Sequence, residues 1–138
     1  MLIFALLLQE MAVAPGPSPA TPFDMTPYYQ GTLEVEQGGE QDRMLIDADG
    51  RYNMVSVKIP QAIGRTYIPN GTGRWAFDKD KFCVLADPGP YVGKQPVCMD
   101  LRGRKTGDSW TLTFGDQKVV FKLKAGRPKG GALEKLNQ

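Results

Sequence analysis

Apolar residues recur at every second position in most of the chain, and glycine- or aspartate-rich turns break the runs before any helix-length segment can form. Leu33 and Val35 alternate with Thr32, Glu34 and Glu36; Met44 and Ile46 stand against Arg43 and Asp47; Trp75 and Phe77 stand against Arg74, Ala76 and Asp78. Later, Trp110, Leu112 and Phe114 alternate with Ser109, Thr111 and Thr113, and Val119, Phe121 and Leu123 with Lys118, Val120, Lys122 and Lys124. A period of two is the mark of a strand with one dry face. The separators are turn chemistry: Gly38-Gly39, Asp47-Ala48-Asp49-Gly50, Asp78-Lys79-Asp80-Lys81 and Gly115-Asp116. The pattern begins at Tyr28 and yields about eight short strands in all, none followed by a crossover helix. Parallel sheets need crossovers of a dozen or more residues, so the sheet is antiparallel. A meander of this kind removes its exposed edges by closing into a small barrel, with a β-sandwich as the alternative.

Two stretches depart from the pattern. Lys58 to Gly73 contains Pro60, Gly64, Pro69 and Asn70-Gly71-Thr72-Gly73, and reads as a long connection with one helical turn at Pro60. Ile59, Ile63, Tyr67 and Ile68 are apolar enough to fold it back as a lid. Ala86 to Pro96 is a second long loop, rich in proline and glycine. Between the loops lies a hairpin whose phase is informative. Phe82 and Val84 on one strand and Val97, Met99 and Leu101 on the next take the inward phase, while Cys83 and Cys98 both fall on the opposite, outward phase. A cross-strand disulfide then pins the base of the loop, closing about 16 residues and contributing about 3 kcal/mol.

At 138 residues a single domain is the natural size. Residues 1–20 read as a signal peptide and linker: an apolar run Met1 to Leu8, too short to span a bilayer, then Ala12-Val13-Ala14 and a Pro/Ala/Ser stretch. Residues 21–125 form the barrel, and 126–138 a flexible tail. An even cysteine count suits the same exported, periplasmic or secreted compartment.

Composition removes whole classes of chemistry. The chain has no histidine and only two cysteines, which excludes Ser-His-Asp and Cys-His devices, imidazole acid/base catalysis, and zinc sites built on histidine or on a full set of cysteine ligands. Asp47-x-Asp49-Gly50 departs from a calcium loop because glycine comes fourth and no glutamate closes it. Gly71-Thr72-Gly73 leads into a strand, whereas a phosphate cradle needs a helix N-terminus. Asn70-Gly71-Thr72 fits the glycosylation triplet, a match read as accidental. No metal or other cofactor is expected. Asp47, Asp49, Asp78 and Asp80 could act as general acid and base only if a cleft joined them. Lys118, Lys122, Lys124, Arg127 and Lys129 make the last third basic, but the nearby aromatics fall on the inner phase. That is the pattern of a solvated edge guarded by lysines rather than a nucleic-acid surface.

The best candidate site is the pair of long loops, which supply Arg65, Tyr67, Tyr91, Lys94 and Gln95 as a rim around a barrel mouth or a partner-binding edge. In the competing reading, Tyr67 and Tyr91 plug the barrel end.

The residues Gly73-Arg74-Trp75-Ala76-Phe77-Asp78, Phe82-Cys83-Val84, Val97-Cys98-Met99 and Gly107-Asp108-Ser109-Trp110 resemble the small exported barrel domains of proteobacteria, over roughly Tyr28 to Leu123. The architecture is also similar to lipocalin-like barrels and to periplasmic lysozyme inhibitors, although the inhibitor signature is missing and a net charge of +2 suits a basic lysozyme poorly. The resemblance implies an exported, non-enzymatic, monomeric barrel that binds a small molecule, an envelope component or a protein partner. The alternatives are a lysozyme-type inhibitor and a carboxylate-dependent hydrolase.

Overall fold

A computed structural model describes residues 19–59, 66–88 and 95–128. The alternating segments become the strands β1 (Gly31–Gln37), β2 (Glu40–Ile46), β3 (Arg51–Lys58), β4 (Gly71–Asp78), β5 (Lys81–Ala86), β6 (Val97–Met99), β7 (Ser109–Phe114) and β8 (Gln117–Ala125). They form one antiparallel sheet in the order β6-β5-β4-β3-β2-β1-β8-β7. The last hairpin folds back so that β8 pairs with β1, Leu33 opposite Leu123 and Val35 opposite Phe121, and the sheet curls into a nearly closed barrel. The β1–β2 hairpin turns on Gly38 and Gly39, whose φ values of 59° and 84° suit the right-handed strand twist and are cheap only for glycine.

The inward phases meet in one core. Trp75, Tyr52, Phe82, Phe121, Met44, Ile46 and Met54 are fully enclosed and fill the interior. Among the inward aromatics, Trp75, Trp110 and Phe121 are buried, whereas Phe77 and Phe114 are half-buried. Trp75 donates its indole N–H to the Asp47 carbonyl oxygen at 2.8 Å, so this large side chain is buried without an orphaned donor.

Tyr28 does not start a strand. Thr26–Tyr29 makes a helical turn, α1, with Pro27 in its first turn and the Asp24 carboxylate accepting from the Thr26 N–H at 2.9 Å. Pro27 has a φ suited to that turn and no N–H for a sheet ladder. Met25 and Tyr28 are buried, Tyr28 donates its hydroxyl to the Leu101 carbonyl oxygen at 2.8 Å, and Phe23 meets Phe77 edge-on. The turn therefore caps the barrel end that carries the Asp47–Gly50 and Asp78–Lys81 turns.

Three further expectations change. Gly71-Thr72-Gly73 belongs to β4 rather than to the connection before it. A Cβ on Gly73 would stand 2.4 Å from both the Leu85 carbonyl oxygen and the Tyr52 ring, so close strand packing requires glycine. Cys83 and Cys98 are directly opposite each other and disulfide-bonded, on the phase opposite Phe82 and Val84. The outward phase is nonetheless not exposed for Cys83, which is buried with Ala76 in a small second cluster covered by Leu85 and Cys98. Finally, the lysine-bearing β8 guards no edge, because it lies between β1 and β7.

Candidate functional site

Because the strands run up and down, the two long connections, after β3 and after β5, leave the same end of the barrel as the Gly38-Gly39 and Gly115-Asp116 turns. Both are fastened at their bases. Gln37 and Asp42 lie on inward phases of β1 and β2 and are almost fully buried. The Gln37 side chain substitutes for a strand: its Oε1 accepts the N–H groups of Tyr67 (2.9 Å) and Ile68 (3.0 Å). Its Nε2 donates to the Ile68 carbonyl oxygen at 2.8 Å and to Asp42 Oδ2 at 3.1 Å. Four backbone and side-chain groups that burial would otherwise orphan are thus satisfied by one amide.

Beside it, Glu40 is also buried, two residues before Asp42 and on the same face. Glu40 Oε2 accepts from Ser56 Oγ at 3.1 Å and from Asn70 Nδ2 at 3.2 Å, and Asn70 Nδ2 also reaches Ser56 Oγ at 2.7 Å. Asp42 Oδ1 has no donor. Burial and the neighbouring Glu40 carboxyl push Asp42 up to about 7. Below that midpoint Asp42 carries a proton, which serves the oxygen without a donor.

The second connection starts from a charged clamp. Arg51 meets Asp87 through two contacts, Nη1 to Oδ1 at 3.1 Å and Nη2 to Oδ2 at 2.6 Å. Thr72 Oγ1 donates to the same Oδ2 at 2.6 Å, and the Asp87 N–H returns to the Thr72 carbonyl oxygen at 3.0 Å. Arg51, then Thr72, hold the Asp87 carboxyl below its ordinary range despite partial burial.

Of the candidate rim residues, Arg65, Tyr91 and Lys94 lie outside the described residues, as do the apolar N-terminal run, Ile63, and the tail beyond 128. Gln95 is exposed at the end of the second connection. Tyr67 is half-buried and stacks on Phe114 at 5.7 Å, which ties the first connection to the β7–β8 hairpin. In the proposed lid Ile68 is buried, but Ile59 is 61 % exposed and does not fold back. The aspartates considered for acid/base work serve turns and ion pairs instead. Asp49 accepts from the Arg51 N–H, Asp47 pairs with Arg127 at 2.9 Å, and Asp80 pairs with Arg102 at 2.9 Å.

Gln37, Glu40 and Asp42 were missed although a signal was present. Glu40 and Asp42 continue the inward phase of Met44 and Ile46, and Gln37 that of Leu33 and Val35; polar residues on a dry phase mark a buried network. Among the described residues, no group of three or more cysteine or acidic side chains is placed to hold a metal ion, and no helix is long and apolar enough to cross a membrane. No family model, curated protein or solved structure matches the chain.

Proposed function

We propose that this chain is an exported, non-enzymatic barrel that binds a protein or polymer of the cell envelope on the end carrying its two long connections. The observation that carries this reading is the combination of a filled interior with two long connections whose bases are fastened, one by Gln37 and the other by the Arg51–Asp87–Thr72 clamp. Trp75, Tyr52, Phe82 and Phe121 occupy the space in which a lipocalin-type barrel would hold an internal ligand, which favours surface binding. Gln37 and the Arg51–Asp87–Thr72 clamp hold the loop bases in one geometry, which reduces the ordering cost of docking. The disulfide supports an oxidising compartment, and the resemblance to exported barrel domains points the same way. Arg65, Tyr67, Tyr91, Lys94 and Gln95 are the proposed contact residues, with Tyr67 contributing from a packed position.

Site-specific photo-crosslinking in the producing cell tests this. A benzophenone side chain replacing Tyr91 or Gln95 should yield a discrete adduct, and the same group at Lys79, on the exposed β4–β5 turn at the other end of that hairpin, should not. Adducts of equal yield from both ends, or none from the loop positions, would refute the loop-end reading. If the adduct is a lysozyme, the inhibitor alternative takes over, and a cell-wall lysis assay reads it directly.

A further inference from the structure

The sheet ends at β6 on one side and β7 on the other, and the two edges are very different. β6 has three residues, follows Pro96, and is tied to β5 by the disulfide. β7 has six residues, Ser109-Trp110-Thr111-Leu112-Thr113-Phe114, all paired with β8 from Ser109 opposite Lys122 to Phe114 opposite Gln117. Its other edge therefore presents alternate backbone N–H and C=O groups with no strand partner among the described residues. Edge strands are normally blunted by a charge, a proline, a bulge or shortness; β7 has no charged residue, proline or glycine. Ser109, Thr111 and Thr113 are exposed on its outer face, and Leu112 and Phe114 are only half-buried on its inner face.

The next strand supplies the charge. β8 points Lys118, Lys122 and Lys124 outward. Lys124 is paired with Glu34 at 3.3 Å, while Lys118 and Lys122 have no ion pair among the described residues. A strand added to β7 would lie about 10 Å from β8, a gap that a lysine and a glutamate side chain span between them.

We propose that β7 is a strand-addition site for an extended, acidic segment of a partner protein. The segment's outward glutamates or aspartates face Lys118 and Lys122, and its inward apolar residues complete the cover over Leu112 and Phe114. A second copy of this chain fits less well, because pairing β7 with its own equivalent brings two lysine-bearing strands onto one face. This inference concerns a different surface from the loop end and does not depend on that reading.

The test uses the full chain and fluorescent peptides that alternate glutamate with valine, or lysine with valine. Only the glutamate peptide should bind, weakening about tenfold between low and physiological salt. Lys118→Glu with Lys122→Glu, both on exposed positions, should keep the fold and reverse the preference. N-methylation of alternate peptide amides, in either register, separates backbone pairing from charge alone: at least one methylated set must lose binding. The proposal fails if both methylated sets bind like the parent, if the two peptides bind alike, or if the glutamate peptide does not bind. It also fails if sedimentation shows a dimer that survives the charge reversal and excludes the peptide.

Discussion

Asp42→Asn should make the protein more stable in mild alkali. In the folded chain Asp42 binds its proton with a midpoint near 7 instead of the ordinary 3.8, because it is buried and faces the Glu40 carboxyl. A folded-state midpoint raised above the unfolded one means that the native state holds the proton more tightly. The associated stability is therefore fully present below about pH 4 and is lost as pH rises through about 7. At about 1.4 kcal/mol per pH unit of midpoint displacement, the whole effect is on the order of 4 kcal/mol. Asparagine keeps the shape and removes the titration. Its amide can donate where the Asp42 proton sat, and its oxygen can still accept from Gln37 Nε2. Urea unfolding of both proteins between about pH 4 and 8 is the assay. The variant should match the parent at the acid end and exceed it by about 2–4 kcal/mol at the alkaline end, with a flatter profile between. A variant that is less stable than the parent at the alkaline end, or that keeps the parent's slope, would refute the raised Asp42 midpoint.

Gln37→Ala removes four hydrogen bonds and leaves the Tyr67 and Ile68 backbone groups to be satisfied by water; at about 1 kcal/mol for each bond the loss should be about 3–4 kcal/mol in chemical denaturation. Hydrogen exchange should show the amides of Tyr67 and Ile68 losing protection first. Replacing Cys83 and Cys98 together with alanine opens a loop whose ends are 15 residues apart and should lower stability by about 3 kcal/mol, an effect that reductant reproduces in the parent and not in the variant. Tyr67→Ala should cost about 1–2 kcal/mol through the lost stack on Phe114, seen as a lower melting temperature. An unchanged melting temperature would return Tyr67 to the role of a rim residue.

Local periodicity was enough to place the strands, because each dry phase is written within five or six residues. It also put Cys83 and Cys98 on one phase, and the ladder pairs them directly. It began the strand pattern too early at Tyr28, which is out of phase with Leu33 and Val35 and follows Pro27, a residue that favours a turn. The choice between strand and turn is made by a hydrogen bond to Leu101, far along the chain. Closure is likewise non-local. Nothing within Val119 to Lys124 says that its other neighbour is β1, so the lysines looked like edge guards when the edge is the strand before them. The loop end was legible as two long connections, but not their anchoring, since Gln37 meets Ile68 across 31 residues of separation.

The buried acids bear on that anchoring. A filled apolar barrel gains nothing in stability from two carboxyl groups, which cost free energy to bury unless paired. Their contacts identify what they hold: Glu40 on β2 binds Ser56 of β3 and Asn70 of the first connection, and Asp42 on β2 binds Gln37 of β1, which in turn grips Tyr67 and Ile68. The connection is therefore fixed to the barrel by a network that contains the protonated Asp42. When Asp42 loses its proton, a buried charge stands beside the Glu40 carboxyl and next to Gln37, which favours openings of the loop base that let water reach it. Loop anchoring and acid stability thus depend on the same proton, so hydrogen exchange at Tyr67 and Ile68 should quicken from about pH 6 to 8 beyond its intrinsic dependence, and Asp42→Asn should abolish that excess.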